Sequence, residues 1–292
     1  MQKTLATSEP LGEASVRGRE DEFYLSSRRI RIGIFDSGLG GLTVVKALKQ
    51  VMQNAHIYYI ADTINAPYGE KTSEQILQFS LDITEYLIET FQIDVLVLAC
   101  NTATSFAISH LRVSYPKLII IGMEPGVKPA IAISQTGKIG ILATPATLMG
   151  KKYQELIEKL SKEKEVSFFE QACPGLVEQI EKGEIYTDAT KILLEKWLQP
   201  MKDKNVDTIV LGCTHYPLIS TVIEEIMSKN ISLIETGKAI ANRLLRLATE
   251  KGHQNTGLME IEVYSTGEIH KDFASDILNT HIEIKPITIV YK

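Results

Sequence analysis

The sequence predicts an α/β fold: two similar domains, each a mainly parallel sheet flanked by helices, with the functional site in the cleft between them. Three observations carry this. Short apolar runs alternate along the chain with stretches whose apolar residues fall three and four apart, the βαβ signature. The segment RIGIFDS from Arg31 returns as KIGILAT from Lys138, and DVLVLACNT from Asp94 returns as DTIVLGCTH from Asp207, so the two halves repeat at nearly one offset. The length, 292 residues, suits about two domains of ~150 residues.

Residues 1–29 have few apolar positions at any period and read as a mobile extension with a short helix near Glu20. From Ile30 the runs Ile30–Phe35, Ile57–Ile60, Val95–Ala99, Leu118–Ile121, Ile139–Ala143, Val166–Glu170, Thr208–Leu211 and Ser232–Glu235 read as strands. They lack in–out alternation because parallel strands are buried on both faces. Ser73–Phe91, Leu148–Leu160 and Ala189–Lys204 place apolar residues on one face and read as helices. Ligands of such sheets bind beyond the carboxyl ends of the strands, where the loops enter helices.

Charge and composition exclude several classes. With 36 acidic against 31 basic residues the formal net charge is −5, and no segment has the Lys/Arg excess that phosphate neutralisation requires, so neither nucleic acid nor an anionic membrane is the expected partner. The apolar runs fall far short of the ~20 residues of a membrane helix. The first residues lack an apolar signal core, so the cytoplasm is the expected compartment. There the three cysteines, Cys100, Cys173 and Cys213, stay thiols.

Placement singles out two of them. Cys100 and Cys213 each end a strand, and Asn101-Thr102 or Thr214-His215 begin the next helix. A helix N-terminus lowers a thiol pKa, so both are expected to be activated. The alternative is that each is a small buried hydrophobe, but equivalence within a repeat favours chemistry. Cys173 has no counterpart, precedes Pro174 and reads as structural. A zinc site from Cys100, Cys173, Cys213 and His215 lacks the usual close ligand pair, so no metal is expected. Asp36-Ser37-Gly38-Leu39-Gly40-Gly41-Leu42-Thr43 resembles a phosphate loop, but Thr43 stands where the third glycine is needed and Asp36 repels phosphate. Asp36 therefore binds an ammonium group, orients an acid or base, or caps the helix. His215 protonates a leaving group, stabilises a thiolate or caps its helix. Pro67-Tyr68-Gly69 is turn chemistry, and spacing gives Glu181 no role. Two cysteines on opposite sides of a cleft suit stereoinversion, one removing a proton and the other returning it. A Cys-His hydrolase leaves one thiol idle. A hinged binding protein without turnover is the alternative from another class. No loop for nicotinamide, flavin or pyridoxal phosphate is evident, so no cofactor is expected.

Seven motifs in order, GIFDSGLGGLTV from Gly33, APYG from Ala66, ACNTAT from Ala99, IGILATPAT from Ile139, ACPGLVE from Ala172, GCTHYPL from Gly212 and STGE from Ser265, resemble the bacterial glutamate racemases. These belong to the cofactor-independent aspartate/glutamate racemase superfamily. The resemblance implies that Cys100 and Cys213 are the acid/base thiols on the D- and L-glutamate faces. Asp36 would assist Cys100, and His215 with Glu181 would serve Cys213. It implies substrate contacts from Asp36, Ser37, Pro67, Tyr68, Gly69, Asn101, Thr102, Thr144, Thr147, Thr214 and His215. It also implies that residues 239–292 return to join 30–124 as the first domain, with 125–238 as the second, and that the protein is a homodimer making D-glutamate for peptidoglycan. Extended members of the family make a peptidoglycan-precursor nucleotide a candidate activator. Related racemases of aspartate, hydantoins or other amino acids are the alternative within the superfamily. The chain departs from the family pattern at Asn65, where arginine is common, and at Glu235-Thr236, where Asp-Ser is usual.

Overall fold

A computed structural model describes residues 28–227 and 230–292. Residues 1–27 of the expected extension, with the helix near Glu20, lie outside the described residues. Arg28 and Arg29 are held against the body, Arg28 by the Asp94 carboxylate and Arg29 by Glu260.

All eight predicted runs are strands, and every described pairing is parallel. The first sheet contains β1 (Ile30–Asp36), β2 (Ala55–Ala61), β3 (Val95–Leu98), β4 (Ile119–Gly122), β9 (Glu260–Ser265) and β10 (Ile284–Pro286), in the order β10-β9-β2-β1-β3-β4. The second contains β5 (Lys138–Ala143), β6 (Ser167–Ala172), β7 (Thr208–Gly212) and β8 (Ser232–Ile234), in the order β6-β5-β7-β8. Strands β9 and β10 were not predicted. The first alternates Glu260, Glu262 and Tyr264 with apolar residues and is only partly buried, and the second spans three residues, so neither has a continuous apolar run.

Helices cover both faces of each sheet. In the first sheet Ile32, Ile34 and Val97 pack with α1 (Leu42–Val51), α10 (Gly237–Glu250) and α11 (Lys271–Leu278). Phe35, Leu96 and Leu98 face α2 (Ser73–Phe91) and α3 (Asn101–Ser114). In the second sheet Ile139, Ile141 and Val210 pack with α4 (Val127–Ile133) and α6 (Lys151–Glu163). Leu142, Ile209 and Leu211 face α7 (Leu176–Glu181), α8 (Asp188–Asp203) and α9 (Ser220–Met227). The predicted helix over Leu148–Leu160 is two: α5 (Pro145–Met149) ends at Gly150, whose backbone is extended, and α6 restarts at Lys151. A Cβ at Gly150 would lie 3.0 Å from Cβ of Ser105, so glycine lets the break pack on α3.

The repeat has a hydrogen-bonded anchor in each half. Asp94, before β3, accepts the Arg31 N–H at 2.8 Å and the Arg28 guanidinium. Its counterpart Asp207, before β7, accepts from Ser134 Oγ at 2.6 Å and from the N–H groups of Gln135 and Thr136 at 2.7 and 2.8 Å. Each anchor fixes the strand that delivers a cysteine. Asp94→Ala and Asp207→Ala are each expected to lower stability by about 1–3 kcal/mol. The double variant should lose the sum within about 0.5 kcal/mol, since the anchors share no partner. Urea denaturation measures all three.

Candidate active site

Strand β1 delivers Asp36 into the interior at 1% exposure. Its Oδ1 accepts the Ser37 N–H at 2.8 Å, and its Oδ2 accepts the Gly41 N–H at 2.6 Å and the Thr214 hydroxyl at 3.2 Å. Burial pushes the Asp36 pKa up, against the lowering effects of His215 and the two N–H groups. Asp36 binds the N–H of Gly41, the residue before α1, and no side chain caps that helix; the same carboxylate lies beside Cys100. The glycines serve side chains rather than phosphate. A Cβ at Gly38 would overlap Glu181 Oε1, and one at Gly40 would fall 2.6 Å from Cε1 of His215. Tyr59, which no motif marks, fixes this loop by donating to the Gly38 carbonyl at 2.6 Å.

Cys100 is the N-cap of α3, its Sγ accepting the Ala103 N–H at 3.4 Å. The expected thiolate is not found. Burial, then the Asp36 carboxylate, push the Cys100 pKa well above the ordinary thiol value, and the Ala103 N–H does not compensate. Cys100 is a neutral thiol.

Cys213 also departs from expectation. After it come Thr214, His215 and a 3₁₀ turn over Tyr216–Ile219, and α9 begins only at Ser220, so no α-helix N-terminus faces this sulfur. Its neighbour is His215. Nδ1 of His215 is 3.6 Å from Cys213 Sγ, and Nε2 is 2.5 Å from Glu181 Oε1, which also accepts the Leu39 N–H at 2.6 Å. Burial opposes a charge on His215, yet the contacts with Cys213 and Glu181 hold its pKa well above 6.5. Burial likewise acts to raise Glu181, but His215 and the Leu39 N–H bring its pKa below the usual carboxylate value. Nε2 also accepts the Gly40 N–H at 3.1 Å, so the ring is clasped between Cys213, Glu181 and the glycine loop. His215 makes no side-chain cap, which removes that alternative.

The remaining wall is built of hydroxyls. Thr144 caps α5, and its Oγ1 lies 3.0 Å from Oγ1 of Thr102 on α3 and 2.9 Å from Oγ1 of Thr147. Thr102 and Thr147 close the triangle at 3.2 Å. Opposite is the Pro67-Tyr68-Gly69 turn, where a Cβ at Gly69 would sit 3.0 Å from Cβ of Thr144. Asn101 is buried and its Oδ1 has no hydrogen-bond partner. Ser37 is buried at the start of the glycine loop. The Tyr68 hydroxyl turns away to Asp62, a residue that no motif had marked. The two thiols are linked through Asp36, which lies beside Cys100 and accepts from the hydroxyl of Thr214, the residue after Cys213, at 3.2 Å. Burial pushes the Cys173 pKa up to about 12, and its thiol donates to the Gln171 carbonyl at 3.5 Å. A cavity of about 410 Å³ bounded by Pro67, Glu178, Glu181 and Lys182 opens beside the clasp of His215 and Glu181. Among the described residues no group of three or more His, Cys, Asp and Glu side chains is placed to hold a metal, and no helix is long and apolar enough to cross a membrane.

Each sulfur thus has its own neighbouring acid or base, Asp36 beside Cys100 and His215 beside Cys213. Comparison with known proteins agrees. The Asp/Glu/hydantoin racemase family model matches residues 41–244. The chain is 59% identical over 249 residues to a glutamate racemase of Sulfurovum sp. (strain NBC37-1), covering 85% of this chain and 94% of that one. Among solved structures, glutamate racemase from Francisella tularensis in complex with D-glutamate is similar at TM-score 0.78 and 26% identity, over 90% of this chain and 98% of that one. Escherichia coli glutamate racemase, in complex with L-glutamate and the activator UDP-MurNAc-ala, reaches TM-score 0.79 at 26% identity, over 90% and 99%. The chain belongs to the glutamate racemases of the Asp/Glu/hydantoin racemase family.

Proposed function

We propose that this protein interconverts L- and D-glutamate by two-thiol proton transfer without an organic cofactor, and so supplies D-glutamate for peptidoglycan. One observation carries the reading. Equivalent strand ends of a repeat bring Cys100 and Cys213 to one site with separate partners, Asp36 for the first and the His215–Glu181 pair for the second. In one direction Cys213, having given its proton to His215, takes the α-proton of L-glutamate, and the Cys100 thiol gives its proton to the opposite face. The reverse reaction starts from the Cys100 thiolate beside Asp36 and the protonated Cys213 that this step leaves. Each turnover exchanges the protonation states of the two sulfurs.

Hydroxyl and backbone donors of Ser37, Tyr68, Gly69, Thr102, Thr144, Thr147 and Thr214 hold the substrate carboxylates, while the free Asn101 Oδ1 and the Asp36 carboxylate suit its ammonium group. Residues 30–124 with 239–292 form one body and 125–238 the other, a division supported by β9 and β10 joining the first sheet. The enzyme works as a homodimer in the cytoplasm, where its cysteines stay reduced. A peptidoglycan-precursor nucleotide is a candidate activator, tested by assaying the full chain with and without it.

Cys100→Ser and Cys213→Ser should each lower racemisation by about 10²–10⁴-fold. Circular dichroism measures turnover from each enantiomer of glutamate, aspartate and hydantoins, and deuterium incorporation in heavy water tracks the α-hydrogen. Near-normal turnover by either variant rules out the two-thiol mechanism.

Gly40→Ala drives a methyl group into the imidazole ring and should cost about 10²-fold or more in kcat while the far-ultraviolet spectrum stays native. Unchanged kcat would show that the ring position does not matter.

The His215–Glu181 pair also sets a pH dependence. The His215 pKa is raised, so its contribution is full below 6.5 and fades as pH rises through the folded value. The Glu181 pKa is lowered, so its contribution is full above 4.5 and fades as pH falls through the folded value. The stability advantage of wild type over Glu181→Gln should therefore be greatest between these two ordinary values and shrink toward alkaline pH. Denaturation midpoints from pH 5 to 10 check it, and a flat difference contradicts the ion pair.

A further inference from the structure

Asp62, at the carboxyl end of β2, is fully buried, and four neutral donors surround its carboxylate. Oδ2 accepts from the Tyr68 hydroxyl at 2.5 Å and from Asn65 Nδ2 at 3.0 Å. Oδ1 accepts from the Thr266 hydroxyl at 2.9 Å and from the Tyr291 hydroxyl. Its backbone N–H donates to the Asp36 carbonyl at 2.9 Å. A carboxylate offers about four acceptor sites, and all are used. The donors come from four places: the turn after β2, the 3₁₀ turn bearing Tyr68, the loop after β9, and the segment after β10.

The last of these is itself anchored. Ile289 is buried in the α2 side of the core, the Lys292 N–H donates to Asp82 at 3.0 Å, and the Tyr291 ring meets Phe79 edge-on with centroids 5.5 Å apart. Phe79 also packs against Tyr68 at 5.7 Å. Tyr291 and Tyr68 thus share both a carboxylate and an aromatic neighbour. Beyond Tyr68 the chain turns through Gly69, which abuts Thr144.

We propose that Asp62 is a positioning residue for the racemase reaction: with Tyr291 as a strut from the carboxyl-terminal segment, it fixes Tyr68 and so places Gly69 and its backbone against the threonine wall that receives the substrate carboxylate. This rests on the reading of residues 67–69 as substrate contacts. Burial and then the Asp62 charge keep both phenols protonated, so they remain donors. Asp62 touches neither sulfur, and what it controls is where the turn sits. Loosening that turn weakens ground state and transition state alike, which raises KM and leaves kcat nearly unchanged. A merely structural carboxylate would lower thermal stability without that signature.

The test uses the full chain carrying Tyr291→Phe, Asp62→Asn, or both. Tyr291→Phe keeps the ring on Phe79 and removes one hydroxyl, so it preserves the core even where Asp62→Asn folds poorly. Expected for Tyr291→Phe are a rise in KM of about three- to tenfold for both enantiomers, kcat within about threefold of wild type, and faster amide exchange over residues 63–71. Adding Tyr291→Phe to Asp62→Asn should raise KM by less than twofold further, because both act through one carboxylate. A KM within twofold of wild type, a fall in kcat with KM unchanged, or full multiplication of the two effects overturns the proposal. Should wild type not racemise glutamate, the reading of the site fails instead, and amide exchange at 63–71 still decides whether Tyr291 holds the turn.

Discussion

The His215 ring, clasped between a thiol, a carboxylate and the N–H of Gly40 in the glycine-rich loop, is the contact on which the site depends. The loop belongs to the first sheet, while His215 and Glu181 come from elements of the second. A buried ion pair compensates its desolvation only when geometry is good and the remaining polar atoms are satisfied. Here the Leu39 N–H supplies the extra donor, and the glycines supply the space. Joining the two sheets and setting the charge beside Cys213 are therefore one interaction, and a change at Gly38 or Gly40 acts on both.

The duplicated architecture does not give duplicated chemistry. Cys100 caps a true helix and is kept neutral by burial and by Asp36, whereas Cys213 sits before a 3₁₀ turn with the His215 ring at 3.6 Å. Two thiols that share one site do not readily ionise together, since the first negative charge raises the pKa of the second, so one acts as base while the other keeps its proton. The repeat supplies equivalent positions, and its unmatched residues, Asp36 against Ala143 and His215 against Thr102, together with Glu181, give each sulfur its own partner.

Much of the fold was legible because parallel strands buried on both faces appear as unbroken apolar runs, and all eight such runs are strands. Strand β9 escaped notice because Glu260 and Glu262 interrupt its apolar residues at partly exposed positions, and the break at Gly150 because one glycine in a helical pattern does not reveal Ser105 beneath it. In the site, the cysteines were legible from the repeat and most other residues from motif order. Asp62 and Tyr59 were not. Their partners are a phenol from the distant Tyr291 and a carbonyl of the glycine loop, and no local spacing encodes either. The expectation of an activated Cys100 failed for the same reason, since burial is a property of the assembled core.

The position of β9 bears on how the chain assembles. The side chains of His56 and Glu262, which meet across β2 and β9, are 206 residues apart in sequence, and everything that forms the second sheet lies between them. On a ribosome, where the amino-terminal part emerges first, β2 waits with an open edge until the whole second sheet has been made. That edge carries a row of unpaired peptide groups through most of synthesis. The second sheet is continuous in sequence and can close on its own, so it matures beside an unfinished partner, and the cleft takes shape only when the last strands dock.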